Sequence, residues 1–346
     1  MKVGIVNFNS FNCQQSSNVA IQSSQNKTFW QSLVKTPTSF EGGKLPFYKR
    51  NGIPCPCCGK IMIPHSRFLK ELTDGILSGW GKDSVKVLLK FKQYMPKIEK
   101  SCFEKIQNES KKHPEKTLNQ ILRSFRKKSK KNLNKNQFDV LGEISQLGRE
   151  LSIESAQKIN TLTHRARIII IEDRPGNFFK RKVFINDILE LIKELPEKNI
   201  IRKIYKKSQE LNSSESDLDA FIVKYSQRCS SEIGQRLVSK SVSTIEHIKP
   251  KANDGENCLE NYLLECAGCN NSRGDTPLDE WIKNRHPEML RNAQKHINVV
   301  IDLINKGIIR NFDFYPTVVA QTLETESKGL IQLDLSNLKQ YYQKAS

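Results

Sequence analysis

The sequence predicts a mainly α-helical protein with a small α+β part. Apolar residues recur at helical spacing through most of residues 66–236, which indicates a large helical region. An apolar, β-branched run ends at Glu246 and His247 and predicts a short strand. Two Cys-x-x-Cys turns, Cys55 to Cys58 and Cys266 to Cys269, are typical of small metal-bound turns.

Five segments are expected along the chain. Residues 1–40 are rich in Asn, Ser and Gln and have few apolar positions, which favours a flexible or loosely packed N-terminus. In order, the predicted segments are a loose N-terminal segment (1–50), a first zinc knuckle (51–65), a basic helical insertion (66–236), a compact α+β module (237–285) and a C-terminal helix with a tail (286–346).

Helical spacing of apolar residues places the helices of the insertion. The patterns are Phe68, Leu69, Leu72, Ile76 and Leu77; Val85, Leu88, Leu89 and Phe91; Leu118, Ile121, Leu122 and Phe125; Phe138, Leu141, Ile144, Leu147, Leu151 and Ile153; and Val183, Ile185, Ile188, Leu189, Leu191 and Ile192. Arg167 to Glu172 is either a short strand or the end of a helix, and Asp173 to Gly176 is a turn.

The compact module is predicted to run strand, loop, helix. The strand ends at His247, a loop with chain-breaking Pro and Gly residues follows, and an apolar-periodic helix begins near Leu259. After the module, Met289 to Ile304 predicts a further helix, and Phe312 to Leu338 is a less periodic tail.

The formal net charge is +19, and its distribution separates two parts of the chain. Residues 59–239 carry 37 Lys or Arg against 22 Asp or Glu, a net of +15, whereas residues 240–285 carry 6 against 8, a net of −2. The positive charge of the middle segment suits a phosphate backbone. Solvated, lysine-rich helix faces fit the same numbers, so charge alone leaves both interpretations open.

Composition also bears on location and on the role of the cysteines. No stretch approaches the roughly 20 apolar residues of a membrane span, and residues 1–10 lack the apolar core of a secretory signal, so we expect a cytoplasmic protein. Nine cysteines are present, an odd number, and four of them form Cys-x-x-Cys pairs. In an intracellular protein this favours metal binding over a disulfide framework.

Residues 242–281, together with the turn at 55–60, resemble the HNH, or ββα-metal, endonuclease superfamily. The resemblance rests on Glu246-His247-Ile248-x-Pro250, on the spacing of Asn261 and Asn270, and on Arg273-Gly274 after the second cysteine pair. It covers less than a third of the chain. It implies a ββα-metal finger with a zinc ribbon, interrupted by the large helical insertion, and it implies hydrolysis of phosphodiester bonds.

The resemblance also implies a role for each matching residue. His247 corresponds to the general base that takes a proton from the attacking water. Glu246 and Asn270 would hold one divalent ion, for which oxygen ligands favour Mg²⁺ or Mn²⁺. Asn261 corresponds to the residue that orients the loop carrying the histidine. The residues expected to build a four-thiolate structural zinc site are Cys55, Cys58, Cys266 and Cys269.

Three features depart from the family pattern. The first position is commonly Asp and here is Glu246, and the third is often His and here is Asn270. Cys58 and His247 are 189 residues apart, whereas zinc-bearing relatives usually need only a short hairpin. Cys229, eighteen residues before His247, is therefore an alternative zinc ligand. Each Cys-x-x-Cys turn looks like half of a four-cysteine site, however, which favours a zinc ribbon whose two halves are separated by the insertion.

Basic residues with aromatic neighbours fit phosphate contacts, which position a nucleic acid without reading its sequence, and they fit a solvated helix end or a flexible basic linker equally well. The candidates are Arg126, Lys127, Lys128, Lys130, Lys131, Lys180, Arg181, Lys182 and Arg273. Because most relatives cut DNA, the resemblance favours double-stranded DNA over RNA as the substrate. Two other classes stay open: a non-catalytic zinc-ribbon nucleic-acid-binding protein, and a nuclease that works with a protein partner as the effector subunit of a defence or toxin assembly.

Overall fold

The computed structural model describes residues 45–68, 70, 81–172 and 179–338, and within them the chain forms two compact units. One unit, the helical unit, comprises Pro96–Ile233 with residues 81–85, and the other comprises the remaining described residues. Helices predominate and the strands are short, which confirms the predicted class, mainly α with a small α+β part. In chain order the elements are α1 (Gly81–Leu89), α2 (Lys97–Lys112), α3 (Leu118–Gly148), α4 (Ile153–Glu172), α5 (Arg181–Glu194), α6 (Lys198–Ser208), α7 (Leu218–Tyr225), α8 (Ser230–Val238), β1 (Ser243–His247), β2 (Tyr262–Cys266), α9 (Ala267–Arg273), α10 (Leu278–Arg285), α11 (Met289–Asn305) and α12 (Tyr315–Glu326).

The helical unit is organised around α3, a helix of 31 residues. A capping box starts it: the Thr117 hydroxyl accepts from the Gln120 amide at 3.3 Å, and the Gln120 side chain accepts from the Thr117 amide at 2.9 Å. The C-terminal half of α3 packs with α4, α5 and α6 around an apolar core that includes Leu141, Ile188 and Ile204. This unit therefore has a core of its own.

One helix boundary in this unit differs from the sequence prediction. The single pattern from Phe138 to Ile153 is divided between two helices, since α3 stops at Gly148 and α4 starts at Ile153. A Cβ on Gly148 would lie 3.1 Å from Ile159 Cγ2, so the two helices approach closely where α3 ends. The stretch Arg167 to Glu172, for which strand and helix end were both open, is the end of α4.

Several predictions fall outside the described residues. They concern most of the loose N-terminal segment (1–44), the helical pattern at Leu69, Leu72, Ile76 and Leu77, and the turn at residues 173–176. At the end of that N-terminal segment, Leu45 and Phe47 are buried in the core of their unit. Across the part of the chain that the structure describes, no helix has the length and apolar character needed to cross a membrane.

The segment around the first cysteine pair folds back on itself and joins the start of β1. Pro54 and Ile61 form an antiparallel bridge, and Ile63 forms a parallel bridge with Val242. Ile63 exchanges backbone hydrogen bonds of 2.8 Å with the residues on either side of Val242. Two segments that are far apart in the sequence are thus held side by side within one unit.

The prediction that a helix begins near Leu259 is wrong. Leu259–Asn261 is a 3-10 turn, and Tyr262–Cys266 is strand β2, which pairs antiparallel with β1. All five residues of β2 are buried, and periodicity over so short a run does not separate a buried strand from a helix. Pairing with β1 decides in favour of the strand. Helix resumes only at α9, so the order of elements is ββα.

The region predicted as a less periodic tail contains α12, which is a correction to that prediction. Only a few of its 12 residues are buried, among them Tyr315, Val319 and Leu323. The helical spacing of apolar residues is therefore weak in this part of the sequence. The Tyr315 hydroxyl donates to the Tyr262 carbonyl at 2.9 Å, and the Tyr315 ring packs against Phe47 at a centroid distance of 5.1 Å. This helix therefore supports the start of β2.

We expect Gly59→Ala to destabilise the protein more than Gly307→Ala. Both glycines have a left-handed backbone, with φ of 71° and 66°, so both substitutions carry a strain of about 1–2 kcal/mol. A Cβ at Gly59 would also lie 2.6 Å from Asn292 Oδ1, whereas nothing lies within 4 Å of one at Gly307. Asn292 cannot move away freely, because its Nδ2 donates to Cys57 O at 2.7 Å. Urea unfolding of the purified variants measures the difference, and equal losses in the free energy of unfolding would contradict it.

Candidate active site and metal centre

Four cysteines from the two Cys-x-x-Cys turns lie together. The sulphur atoms of Cys55, Cys58, Cys266 and Cys269 all lie within 4.8 Å of one another. Cys58 Sγ and Cys266 Sγ are 3.9 Å apart, close to the edge of about 3.8 Å in a tetrahedron whose zinc–sulphur bonds are about 2.3 Å. The group fits a four-thiolate zinc site. The two half-sites therefore meet, although Cys58 and Cys266 are 208 residues apart in the sequence.

Backbone hydrogen bonds shape both turns. At the first, the Cys55 amide donates to Lys60 O at 2.8 Å and the Gly59 amide donates to Cys55 O at 2.9 Å, with Gly59 in the left-handed conformation that this tight turn requires. At the second, Cys266 ends β2 and Cys269 lies in α9. The Cys266 amide donates to Cys55 Sγ at 3.5 Å, so the backbone of one turn also contacts a thiol of the other.

Four thiols at these distances cannot all ionise without a cation. Burial raises the pKa of Cys55 well above its usual value. Hydrogen bonds from Cys266, Cys269 and Cys55 lower the pKa of Cys58, the opposite direction to Cys55. A zinc ion would supply the positive charge that lets all four act as thiolates.

His247 lies at the end of β1, where the chain leaves the sheet. Its Nε2 is 3.0 Å from Asn257 Oδ1, and its ring meets the Tyr262 ring edge-on at a centroid distance of 5.1 Å. Burial lowers the pKa of His247, and the charges of Lys251 and Arg273 lower it further, while the contact with Asn257 opposes them. The imidazole is therefore neutral near pH 7, as a proton acceptor must be.

Asn261 fixes the loop between β1 and β2. Its Oδ1 accepts from the Lys249 amide at 2.7 Å, and its Nδ2 donates to Lys249 O at 3.0 Å and to Glu256 O at 2.9 Å. Its backbone carbonyl accepts from the Ile248 amide at 2.9 Å. One buried side chain thus ties together both sides of the loop that begins directly after His247.

Glu246 is a buried carboxylate that pairs with Arg273. Arg273 Nη1 lies 3.4 Å from Glu246 Oε1 and donates to His247 O at 3.1 Å, while Nη2 donates to Ile248 O. Burial nevertheless raises the pKa of Glu246 to about 8, and the charge of Glu265 adds to the shift. The guanidinium alone does not balance this carboxylate, and a cation at Glu246 would supply the missing positive charge.

Asn270 lies on α9, directly after Cys269. Its Nδ2 donates to Thr244 Oγ1 at 3.2 Å and to Ile245 O at 3.5 Å, which holds the amide against the strand that carries Glu246. Because the nitrogen end faces β1, the oxygen is the end that can bind a ligand. Carboxylate and amide oxygens are donors that suit Mg²⁺ or Mn²⁺, so the residues present fit such an ion.

Residues 227–276 match the family model described as HNH endonuclease. The chain contains an HNH endonuclease domain. Such a domain implies nuclease chemistry, nucleic-acid binding and use of a divalent ion. No curated protein and no solved structure matches the chain.

The predicted nucleic-acid contacts occupy two stretches of the helical unit and one position in the HNH domain. Arg126, Lys127, Lys128, Lys130 and Lys131 lie on α3, and Lys180, Arg181 and Lys182 lie at the start of α5. Arg273 differs from the expectation. It is 4% exposed, and its guanidinium contacts Glu246 and the carbonyls of His247 and Ile248, so it positions the end of β1 instead of facing a phosphate.

Cys229, the alternative zinc ligand, lies outside the four-thiol group. Its Sγ is 3.1 Å from Ser231 Oγ and 3.7 Å from Glu232 Oε2. Among the described residues, the first Cys-x-x-Cys turn therefore completes the group around Cys266 and Cys269.

Sequence reasoning missed two residues beside the site. Asn257, which contacts His247, lies in an exposed loop where no periodicity marks it. Glu265 is buried next to Cys57 and Cys269, and its only signal in the sequence is a charged residue in the otherwise apolar run of β2. Arg273 was singled out in the sequence as a phosphate contact, whereas in the structure it pairs with Glu246. The sequence does not reveal this partner, because the burial of a cation is apparent only in the folded chain.

We expect Cys55→Ser and Cys266→Ser each to lower the zinc content of the purified protein, since each removes one of four thiolates. The double variant Cys55→Ser/Cys57→Ser excludes substitution by the neighbouring thiol. Cys229→Ser is the matched control, because it changes a half-buried cysteine outside the group. Elemental analysis gives zinc per chain. Unchanged zinc in the double variant would show that the two turns do not share an ion.

Proposed function

We propose that the protein is an endonuclease that hydrolyses phosphodiester bonds of nucleic acid, with double-stranded DNA preferred, using a single divalent ion and His247 as the general base. The observation that carries the proposal is the arrangement at the end of β1, where buried Arg273 contacts both the Glu246 carboxylate and the backbone of His247 within an HNH domain. A purely structural zinc ribbon does not need Glu246, His247 and Asn270 together.

His247 takes the proton of the attacking water. An amide oxygen only accepts hydrogen bonds, so the contact with Asn257 Oδ1 keeps the ring proton on Nε2 and the basic lone pair on Nδ1. Asn257 thereby sets the tautomer as well as the orientation of the ring. A well-placed general base contributes about 10²- to 10⁴-fold to the rate.

Glu246 and Asn270 would hold Mg²⁺ or Mn²⁺ through their oxygen atoms. When bound, such an ion neutralises charge on the scissile phosphate and on the departing oxygen. Arg273 keeps the Glu246 carboxylate and the end of β1 in place, and Asn261 does the same for the loop after His247. The residues that surround the reacting groups are thus fixed by buried hydrogen bonds, which lowers the reorganisation needed for reaction.

The helical unit supplies the surface that holds the substrate. Arg123, Lys127, Lys131 and Lys135 recur every four residues on α3 and are exposed, so they line one face of the helix about 6 Å apart. A regular row of cations suits the regular charges of a phosphate backbone. The division into a basic helical insertion at 66–236 and a nuclease module at 237–285 is part of this proposal.

The biological setting is proposed from the sequence alone: a cytoplasmic protein that acts as the effector subunit of a defence or toxin system. The non-catalytic alternative is a zinc-ribbon protein that only binds nucleic acid. It predicts binding without cleavage, which a plasmid cleavage assay on the wild type distinguishes.

We expect His247→Ala to lower cleavage of plasmid DNA in Mg²⁺ or Mn²⁺ by about 10²- to 10⁴-fold, because the general base is lost. EDTA should abolish cleavage by the wild type. Asn271→Ala, which changes an exposed residue of α9, is the control and should retain activity. Equal, EDTA-resistant degradation by wild type and His247→Ala would refute the role of His247, and wild-type binding without cleavage would favour the non-catalytic alternative.

We expect Lys127→Gln/Lys131→Gln to weaken DNA binding and to reduce its dependence on salt. Each phosphate contact contributes about 0.9 to the slope of log affinity against log salt, so loss of two contacts should lower its magnitude by about 2. Lys158→Gln/Lys193→Gln is the matched control, because these exposed lysines pair with Glu154 and Glu190. Fluorescence anisotropy at several salt concentrations measures the slope. An unchanged slope in the first variant would place the substrate elsewhere.

A further inference from the structure

A second group of metal-binding side chains lies beside the four-thiol group. One ligand atom each from Cys57, Glu265 and Cys269 lies within 4.8 Å of the others. These residues are 0%, 1% and 7% exposed, so the group is buried. Cys269 belongs to both groups, whereas Cys57 and Glu265 have no part in the four-thiol site.

Cys57 lies in a dry, sulphur-rich environment. Trp281 Nε1 donates to Cys57 Sγ at 3.3 Å, and the Cys57 thiol donates to Met289 Sδ at 3.6 Å. An indole N–H only donates, so the Cys57 sulphur accepts in that contact, and it can keep this hydrogen bond when a metal ion displaces its thiol proton. Soft sulphur donors out of reach of water favour a thiophilic ion.

Glu265 is a buried carboxylate with an incomplete set of partners. In the described part of the chain, its Oε2 is buried and has no hydrogen-bond partner. A buried carboxylate oxygen that lacks a donor is costly, and native sites satisfy such atoms with hydrogen bonds or with metal ions. Here the ligand atoms within 4.8 Å are thiols, which are themselves metal ligands.

We propose that a second divalent ion of the zinc class binds between Cys57, Glu265 and Cys269. Cys57 Sγ, Cys269 Sγ and one carboxylate oxygen of Glu265 supply three donor atoms, and the second oxygen of Glu265 would complete the four that zinc prefers. Cys269 then bridges the two ions through one thiolate, and Cys57 releases its thiol proton on binding. Four thiolates with one zinc ion already carry two negative charges. A second ion offsets the further charge of a buried thiolate and a buried carboxylate.

Metal stoichiometry of the purified full chain tests this proposal. Native mass spectrometry after exchange into zinc-containing buffer and removal of loose ions should find two zinc ions per chain in the wild type and one in Cys57→Ser and in Glu265→Gln. Cys229→Ser, outside both groups, should keep two. Glu246→Gln should also keep two, which separates the new site from the catalytic ion.

A single zinc ion in the wild type would overturn the proposal and would mean that Cys57 and Glu265 keep their protons. Loss of the second ion in Glu246→Gln, with two ions retained in Cys57→Ser, would place it at the catalytic residues instead. If a variant fails to fold, cadmium NMR of the cadmium-loaded wild type decides. Two resonances coupled through the shared Cys269 thiolate support the proposal, and one resonance refutes it.

Discussion

The HNH domain depends on the pairing of two segments that a long helical insertion separates in the sequence. Ile63 pairs with the start of β1, and the thiols of Cys55 and Cys58 meet those of Cys266 and Cys269. The entropic cost of closing a loop grows slowly, by about 0.6 kcal/mol for each doubling of its length. About five doublings separate a short hairpin from this insertion, so a flexible chain of the same length would add only about 3 kcal/mol, and an insertion with a core of its own adds less. A zinc ion at the four-thiol group would add stabilisation to this closure.

A second constraint is the satisfaction of buried polar groups around His247. Arg273 is nearly inaccessible, and it contacts Glu246 while donating to two carbonyls at the end of β1. Asn261 does the equivalent for the following loop, with three side-chain hydrogen bonds. Removal of either would leave buried donors and acceptors unpaired, which is more costly than loss of a surface contact. The two side chains therefore fix the backbone on either side of the loop where the chemistry is proposed to occur.

Much of the site could be predicted from spacing. The two cysteine pairs, the position of His247 at a strand end and the asparagine directly after Cys269 are local features, and the structure brings the four cysteines together. Strand β2 was missed because a short run buried on both faces lacks the alternation of a half-exposed strand. The helix α12 was missed because few apolar positions mark it, and its packing on Tyr262 involves residues 53 positions apart.

The sequence by itself determined which chemical groups are available. They are two Cys-x-x-Cys pairs, an imidazole that follows a carboxylate in the chain, two asparagines at fixed spacing from it, and an excess of positive charge outside residues 240–285. Only the tertiary structure decided which of these groups share a site. It brought Cys55 and Cys58 to Cys266 and Cys269, buried the Arg273 side chain, and placed Cys57 and Glu265 next to Cys269. The physical reason is that burial and long-range strand pairing set the partners of a charged or sulphur-bearing side chain, and neither is encoded in local spacing.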